Sequence, residues 1–117
     1  ELHPFPDTDA WTAADPADRL RHALHDVYGW YEDVEADIAI FNRDAAIHAI
    51  TAEAVNRREI IVRGAQNRLA TDWPRRKAVL AAIGHAFDFE TWRSLTRRQG
   101  LTRKQAVDAM LTFVAGV

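Results

Sequence analysis

Residues 73–114 read WPRRKAVLAAIGHAFDFETWRSLTRRQGLTRKQAVDAMLTFV and carry the clearest fold information in the chain. Their apolar residues recur at three- and four-residue steps, which is the period of a helix with a buried face. These steps predict one helix over 74–98, which starts at a proline, and a second helix over 103–114. Gly100 fits the left-handed position that follows a helix end, and Thr102 is a favourable N-cap for the second helix.

The rest of the chain has the same helical period. Asp15 and Pro16 predict a helix start, because they are an N-cap residue and a first-turn proline, and an apolar stripe follows as far as Tyr31. A short helix over 34–43 and a long helix over 46–69 are predicted next. No segment alternates with period two, so there is no clear strand signal. We therefore expect an all-α fold with five main helices.

The bulk composition is that of one globular domain. A chain of 117 residues can close a single core, and 48% hydrophobic with 27% charged residues is ordinary for such a domain. We expect this domain to cover 15–117. Residues 1–14 contain two prolines and are expected to form an irregular linker.

Charge and cysteine content argue against several classes of function. The formal net charge is −2, whereas binding to nucleic-acid phosphates needs a concentrated basic face. The sequence has no cysteine, which excludes disulfides and thiolate chemistry. No apolar run approaches the ~20 residues of a membrane span. These features predict a cytoplasmic protein that contacts neither a membrane nor, through these residues, DNA.

The helix predicted over 74–98 carries apolar residues on two sides. One side has Leu80, Ile83 and Phe87. The other side has Ala78, Ala82, His85, Phe89 and Trp92. A helix that is apolar nearly all round must be covered on both sides. The simplest solution is that one side meets the domain's own core or pocket and the other meets a second copy of the chain. The alternative is a central helix that is wrapped by its own neighbours.

The two C-terminal helices resemble the last two helices of the effector-binding domain of tetracycline-repressor (TetR) family transcription regulators. The resemblance rests on FDFETWRSL at 87–95 and on GLT at 100–102, with an amphipathic helix after them. It extends to DPADRL at 15–20 and YGWY at 28–31, which are similar to the family's fifth helix. The FNRD sequence at 41–44 is similar to its short sixth helix.

The resemblance implies a bacterial regulator without enzymatic activity or a cofactor. In that family the last two helices build the dimer interface, so we expect a homodimer whose copies meet in a four-helix bundle. The expected interface residues are Leu80, Ile83, Phe87, Ala106, Met110 and Phe113. The residues ELH at 1–3 are similar to the tail of the helix that leads to the DNA-binding domain. The helix-turn-helix unit itself is missing from this sequence, and DNA would be bound only through it.

Polar residues that interrupt apolar stripes, together with many aromatic residues, indicate a pocket for a small apolar or aromatic effector, which we expect to release a repressor from DNA. The candidate ligand-binding residues are Trp30, Phe41, Arg58, His85, Phe89 and Trp92. Arg58 would pair with a carboxylate of a neighbouring helix, bind an acidic effector, or extend to solvent. His85 would contact the ligand or be a hydrogen-bonded core or interface histidine. Each aromatic residue also fits an ordinary core position.

Other histidines allow further interpretations. His22 and His25, followed by Asp26, have a spacing that brings two imidazoles to one ion on a helix face. That face is polar and offers no cysteine or fixed third ligand, so we expect a solvated face and no metal. The alternative to a regulator is a small helical enzyme or carrier that uses His85 or His48 as an acid–base group. A regulator needs a helix-turn-helix domain, whereas such an enzyme does not.

Overall fold

A computed structural model describes the backbone of residues 3–44 and 49–117 and the side chains of 3–36 and 56–117. Over these residues the chain is one all-helical domain without strands, which confirms the predicted fold class. The helices are α1 (Pro16–Asp44), α2 (Ala49–Ala70), α3 (Arg76–Phe87), α4 (Phe89–Arg93) and α5 (Arg103–Gly116). A single 3₁₀ turn, Thr8–Ala10, precedes α1, and a π-helical turn, Ser94–Arg98, follows α4.

The start of α1 is the predicted one. The Asp15 carboxylate accepts a hydrogen bond from the backbone N–H of Asp18 at 3.0 Å, and Pro16 is the first helical residue. The end of α1 differs from the prediction, because the separate short helix over 34–43 does not exist and α1 continues to Asp44. No proline or glycine lies between residues 31 and 44, so nothing in this stretch breaks the helix.

The turn between α2 and α3 contains two non-glycine residues in the left-handed region. Asp72 has φ 74° and Arg75 has φ 50°. Asp72 is held there by an ion pair of 3.1 Å with Arg19 of α1. The predicted stop after α2 is confirmed, but α3 begins two residues later than predicted and no side chain caps it. Arg75 occupies the N-cap position with only its carbonyl bonded, to the N–H of Val79.

The helix predicted over 74–98 is interrupted at Asp88, which has an extended backbone with ψ 133°. The interruption has a physical cause on α1. The Tyr28 hydroxyl donates a hydrogen bond to the carbonyl of Ala86, and the Tyr31 hydroxyl donates to the carbonyl of Phe87. The last carbonyls of a helix have no intrahelical partner, so these two phenols satisfy the end of α3 and stabilise the break.

The last helix agrees with the prediction in detail. Gly100 has φ 78°, which is a conformation that glycine adopts without strain. Thr102 accepts a hydrogen bond from the N–H of Gln105, and the Gln105 side chain accepts one from the N–H of Thr102. This reciprocal capping box begins α5. Ion pairs from Arg97 to Glu35 and from Arg103 to Glu32 then join this end of the molecule to α1.

The core lies around α3. Its buried residues are Val79, Ala82, Ile83, Ala86 and Phe87, which form one continuous stripe. This stripe packs against α1, α2 and α5, and Trp11 of the N-terminal segment joins the same core. The side of α3 that carries Ala78 and His85 is exposed. The helix is therefore wrapped by its own neighbours on one face and open on the other.

Arg75 supplies a stability test of the left-handed turn. Replacing it by glycine should raise the free energy of unfolding by roughly 0.5–1 kcal/mol. Glycine removes the steric cost of positive φ in the folded state, and the higher entropy of the unfolded chain offsets part of this gain. The matched control Arg76→Gly lies inside the first turn of α3 and should lower stability by about 1 kcal/mol. Urea denaturation measures both. Equal losses in the two variants would contradict the backbone conformation assigned to Arg75.

Alkaline pH tests the two tyrosine hydrogen bonds. Burial, and then the neighbouring phenol, raises the pKa of Tyr28 above its ordinary value of 10.0, and burial is also the main cause that raises the pKa of Tyr31. A phenol whose pKa is raised by folding stabilises the folded state fully below pH 10, and this stabilisation is lost as the pH rises from 10 to the folded-state pKa. In that interval the unfolded chain has lost the proton and the folded chain keeps it, so we expect a loss of about 1.4 kcal/mol per pH unit for each tyrosine.

The measurement is the urea midpoint between pH 9 and pH 12, with Tyr28→Phe as the control. This variant should be less stable by about 1–3 kcal/mol at neutral pH, because a buried carbonyl loses its donor. Its free energy of unfolding should also fall less steeply with alkaline pH, by the contribution of one tyrosine. A wild-type slope that equals the slope of the variant would mean that the Tyr28 hydroxyl is not a buried donor.

Candidate functional site

A cleft of about 470 Å³ opens between α2 and the junction of α3 with α4, with α1 behind it. Its volume lies in the range of small-molecule sites. The lining residues are Phe5, Tyr31, Arg58, Glu59, Val62, Arg63, Gln66, Gly84, Phe87, Asp88 and Phe89. The cleft is open to solvent on one side, and four different elements contribute to its walls.

One wall of the cleft is aromatic. Tyr31 and Phe89 meet edge to face, with ring centroids 5.3 Å apart and an interplanar angle of 83°. Phe5 reaches the same wall from the N-terminal segment, where its ring packs edge to face on Trp30 at 5.1 Å. Trp92 lies behind the wall, 5.5 Å from Phe89 and 5.7 Å from Tyr31. Such a wall offers flat, rigid surface to an aromatic ligand.

The opposite wall is polar and comes from one face of α2. Arg58, Glu59, Arg63 and Gln66 alternate there with Val62. These positions are related by three- and four-residue steps, so they lie along the same side of the helix. The wall therefore carries charges of both signs beside a small apolar patch. A ligand between the two walls would meet an aromatic surface and charged groups at once.

Glycine at position 84 lets α2 and α3 approach closely at the end of the cleft. The Gln66 side-chain amide donates a hydrogen bond of 2.7 Å to the carbonyl of Leu80. A Cβ atom at Gly84 would lie 2.6 Å from the amide nitrogen of Gln66, which is shorter than any tolerated contact. The missing side chain therefore keeps this amide in place and leaves the cleft open next to it.

Arg58 contacts the aromatic residues directly. Its guanidinium carbon lies 4.9 Å from the centroid of the Trp30 ring, which is a cation–π contact. Its charge also acts on Tyr31: burial and the Asp88 carboxylate raise the pKa of that phenol, and Arg58 opposes them. Arg58 thus lies where the aromatic wall and the polar wall meet. The periodicity of α2 alone does not reveal this contact.

The predicted ligand residues are only partly brought together. Arg58 and Phe89 line the cleft. Trp30 and Trp92 lie in the aromatic cluster behind it and are 7% and 0% exposed, so they support the wall and do not line the cleft. The side chain of Phe41 falls outside the described residues. Several other lining residues, among them Phe5, Tyr31 and Asp88, could not be identified from helical periodicity.

His85 does not line the cleft and lies on the exposed side of α3. Its ring meets the ring of Phe113 of α5 edge to face, with centroids 5.8 Å apart. Phe113 is 42% exposed, and Met110 one turn earlier is half-buried. His85 is thus neither a cleft residue nor a core histidine. With Phe113 and Met110 it forms an exposed strip on α3 and α5, called the α3–α5 strip below.

The six predicted interface residues separate into two groups. Ile83, Phe87 and Ala106 are buried in the chain's own core, with at most 4% exposure, and offer no surface to a second copy. Leu80, Met110 and Phe113 keep exposed surface. The periodicity of a helix gives its apolar positions but does not say which of them its own neighbours cover.

No metal site forms around those of the remaining histidines that the structure describes. His22 contacts the Asp26 carboxylate at 3.2 Å, and the Trp11 indole donates to the same oxygen at 2.9 Å. Among the described residues there is no group of three side chains that could hold a metal ion. His48 falls outside those residues. None of the described helices is long and apolar enough to cross a membrane.

The chain matches no family model, no curated protein and no solved structure. The cleft and the α3–α5 strip are therefore the physical basis for a functional proposal.

Proposed function

We propose that this chain is the effector-binding and dimerisation domain of a TetR-type transcription regulator that acts in the bacterial cytoplasm. The observation that carries the proposal is the cleft, in which an aromatic wall from α1 and α4 faces arginines on α2. Sites of this shape and lining suit small aromatic molecules with an acidic or carbonyl group. The resemblance of 87–95 and 100–102 to the family supports the same function.

The α3–α5 strip supports the dimer. It presents Phe113, Met110 and His85 on two helices that pack side by side, which is the arrangement that a four-helix bundle between two copies requires. A two-fold dimer would place this strip against itself. We expect the interface to use the three exposed residues Leu80, Met110 and Phe113 of the six predicted from the sequence.

The effector would act by differential binding. It would contact α2 on one side and the junction of α3 with α4 on the other, so it would favour one spacing of these elements over another. Because α3 also borders the dimer interface, that spacing would set the relative orientation of the two copies. A helix-turn-helix domain outside these residues would read the difference as release from DNA, as in a repressor.

Binding of matched aromatic probes tests the cleft. Indole-3-acetate should raise the melting temperature, and Arg58→Ala should weaken this probe by about 1.5–3 kcal/mol because a hydrogen bond to a charged group is lost. Neutral indole should be much less affected by the substitution. Arg57→Ala is the control, since Arg57 is exposed on the same helix and does not line the cleft. Thermal shift and isothermal titration calorimetry report both probes.

Two outcomes would count against the ligand proposal. If neither probe binds, the cleft is not a site for small aromatic molecules. If Arg58→Ala lowers stability equally with and without the acidic probe and leaves its affinity unchanged, then Arg58 has a structural role and does not contact the ligand.

Sedimentation tests the dimer. The chain should be dimeric at micromolar concentration, and Phe113→Glu should raise the dissociation constant at least tenfold by placing a charge in a desolvated interface. The matched control is Ile60→Glu on α2, because Ile60 is 70% exposed and lies outside the α3–α5 strip. A compact wild-type monomer, or equal effects of the two charges, would exclude the strip as the interface.

A further inference from the structure

The π-helical turn Ser94–Arg98 sits directly behind the cleft wall. Its hydrogen bond from the N–H of Gln99 to the carbonyl of Ser94, at 2.9 Å, spans five residues where an α-helix spans four. Single π turns are rare, and they occur mostly at functional positions in otherwise α-helical segments. This turn therefore departs from the usual α-helical geometry, and specific contacts must stabilise it.

One side-chain contact depends on the π geometry. The guanidinium carbon of Arg97 lies 4.9 Å from the centroid of the Trp92 ring, five residues earlier. In an α-helix, residues five apart point about 140° away from each other, so this stack would be lost. The Thr96 hydroxyl also donates to the carbonyl of Trp92 at 2.8 Å, but Thr112 makes the same bond to Asp108 inside α5, so this bond fits either geometry. The contact of Arg97 with Trp92 therefore favours the π turn over an α turn.

The turn is tied to α1 through the same arginine. The Nε atom of Arg97 donates to both carboxylate oxygens of Glu35, at 3.1 Å each. Among the side chains that the structure describes, the neighbouring Arg98 pairs with Glu90 at 3.7 Å, and it is 60% exposed. Arg97 thus links the π turn to Trp92 and to α1.

Trp92 also joins this turn to the cleft. Its ring is fully buried and touches Phe89 and Tyr31, which both line the cleft. A packed interior has little free volume, so a displacement of Phe89 moves Trp92. The opposite face of Trp92 carries Arg97. A continuous series of contacts thus runs from the cleft wall to the turn that precedes α5.

We propose that Ser94–Arg98 is a two-state switch that reads occupancy of the cleft. In the empty state Arg97 stacks on Trp92 and the turn is π-helical. A ligand that displaces Phe89 shifts Trp92, removes Arg97 from its ring and allows the turn to become α-helical. The N–H of Leu101 bonds to the carbonyl of Leu95, so the change in turn also moves the start of α5. This inference rests on the proposed ligand-binding function of the cleft.

The first test is an increase in affinity, which structural damage does not produce. If the contact between Arg97 and Trp92 must break when the ligand binds, Arg97→Ala removes the free-energy cost of breaking it. The variant should then bind indole-3-acetate roughly three- to tenfold more tightly than the wild type. Arg98→Ala, in the same turn but without the stack, should leave the affinity within twofold. Isothermal titration calorimetry of the full chain measures all three proteins. Weaker or unchanged binding by the folded Arg97→Ala variant would overturn the switch.

The second test follows the stack itself by NMR. In the empty state the Trp92 ring shields the side-chain protons of Arg97, and saturating indole-3-acetate should remove this shielding. Glu35→Gln removes the carboxylate charge that holds the Arg97 side chain and keeps the side-chain size. This variant should show part of the same shift without the probe, which keeps the test valid if Arg97→Ala fails to fold.

The outcomes separate the switch from the site. If the probe shifts the resonances of Phe89 and Tyr31 while Arg97 stays shielded, the cleft binds ligand and the switch is wrong. If none of these resonances responds to the probe, the ligand site and the switch are both wrong. Loss of the Arg97 shielding together with shifts at Phe89 supports both.

Discussion

Two phenolic hydrogen bonds determine how this domain is arranged. Tyr28 and Tyr31, one turn apart on α1, donate to the last two carbonyls of α3. A helix that continued through Asp88 would use those carbonyls for its own backbone. The tyrosines stabilise the break instead, Tyr28 from a buried position and Tyr31 from a partly buried one beside the cleft. The direction in which the chain leaves α3, and hence the position of Phe89, follows from these two contacts.

The cleft and the π turn are consequences of that break. Because α4 starts afresh at Phe89, its first residue can meet Tyr31 edge to face and form the cleft wall. Trp92 then fills the space behind the wall, and the turn after it adopts the geometry that brings Arg97 onto its ring. Gly84 has no side chain, so the Gln66 amide fits against α3 and bonds to the Leu80 carbonyl, which fixes α2 at the end of the cleft. Small changes in one of these contacts therefore alter its neighbours.

Much of the fold could be predicted from local signals, because these act within a few residues. Asp15 and Thr102 cap the starts of their helices, and Gly100 takes the left-handed conformation after a helix end. The break at Asp88 could not be predicted in this way, since its cause lies on α1, far away in sequence. Arg58 and Phe89 were recognised as candidate site residues from the sequence. Tyr31 and Phe5 were not, because their place in the cleft depends on contacts between residues that are far apart in sequence. Burial of Ile83 and Ala106 likewise depends on neighbours that periodicity does not identify.

We propose that the space between Val62 and Phe89 binds a small aromatic molecule. A crystal structure of the full chain grown with indole-3-acetate is the decisive experiment. Electron density for the ring should lie against Tyr31 and Phe89, with the carboxylate toward Arg58. Density at any other place, or a cleft filled by the protein's own side chains and no bound probe, would rule this site out.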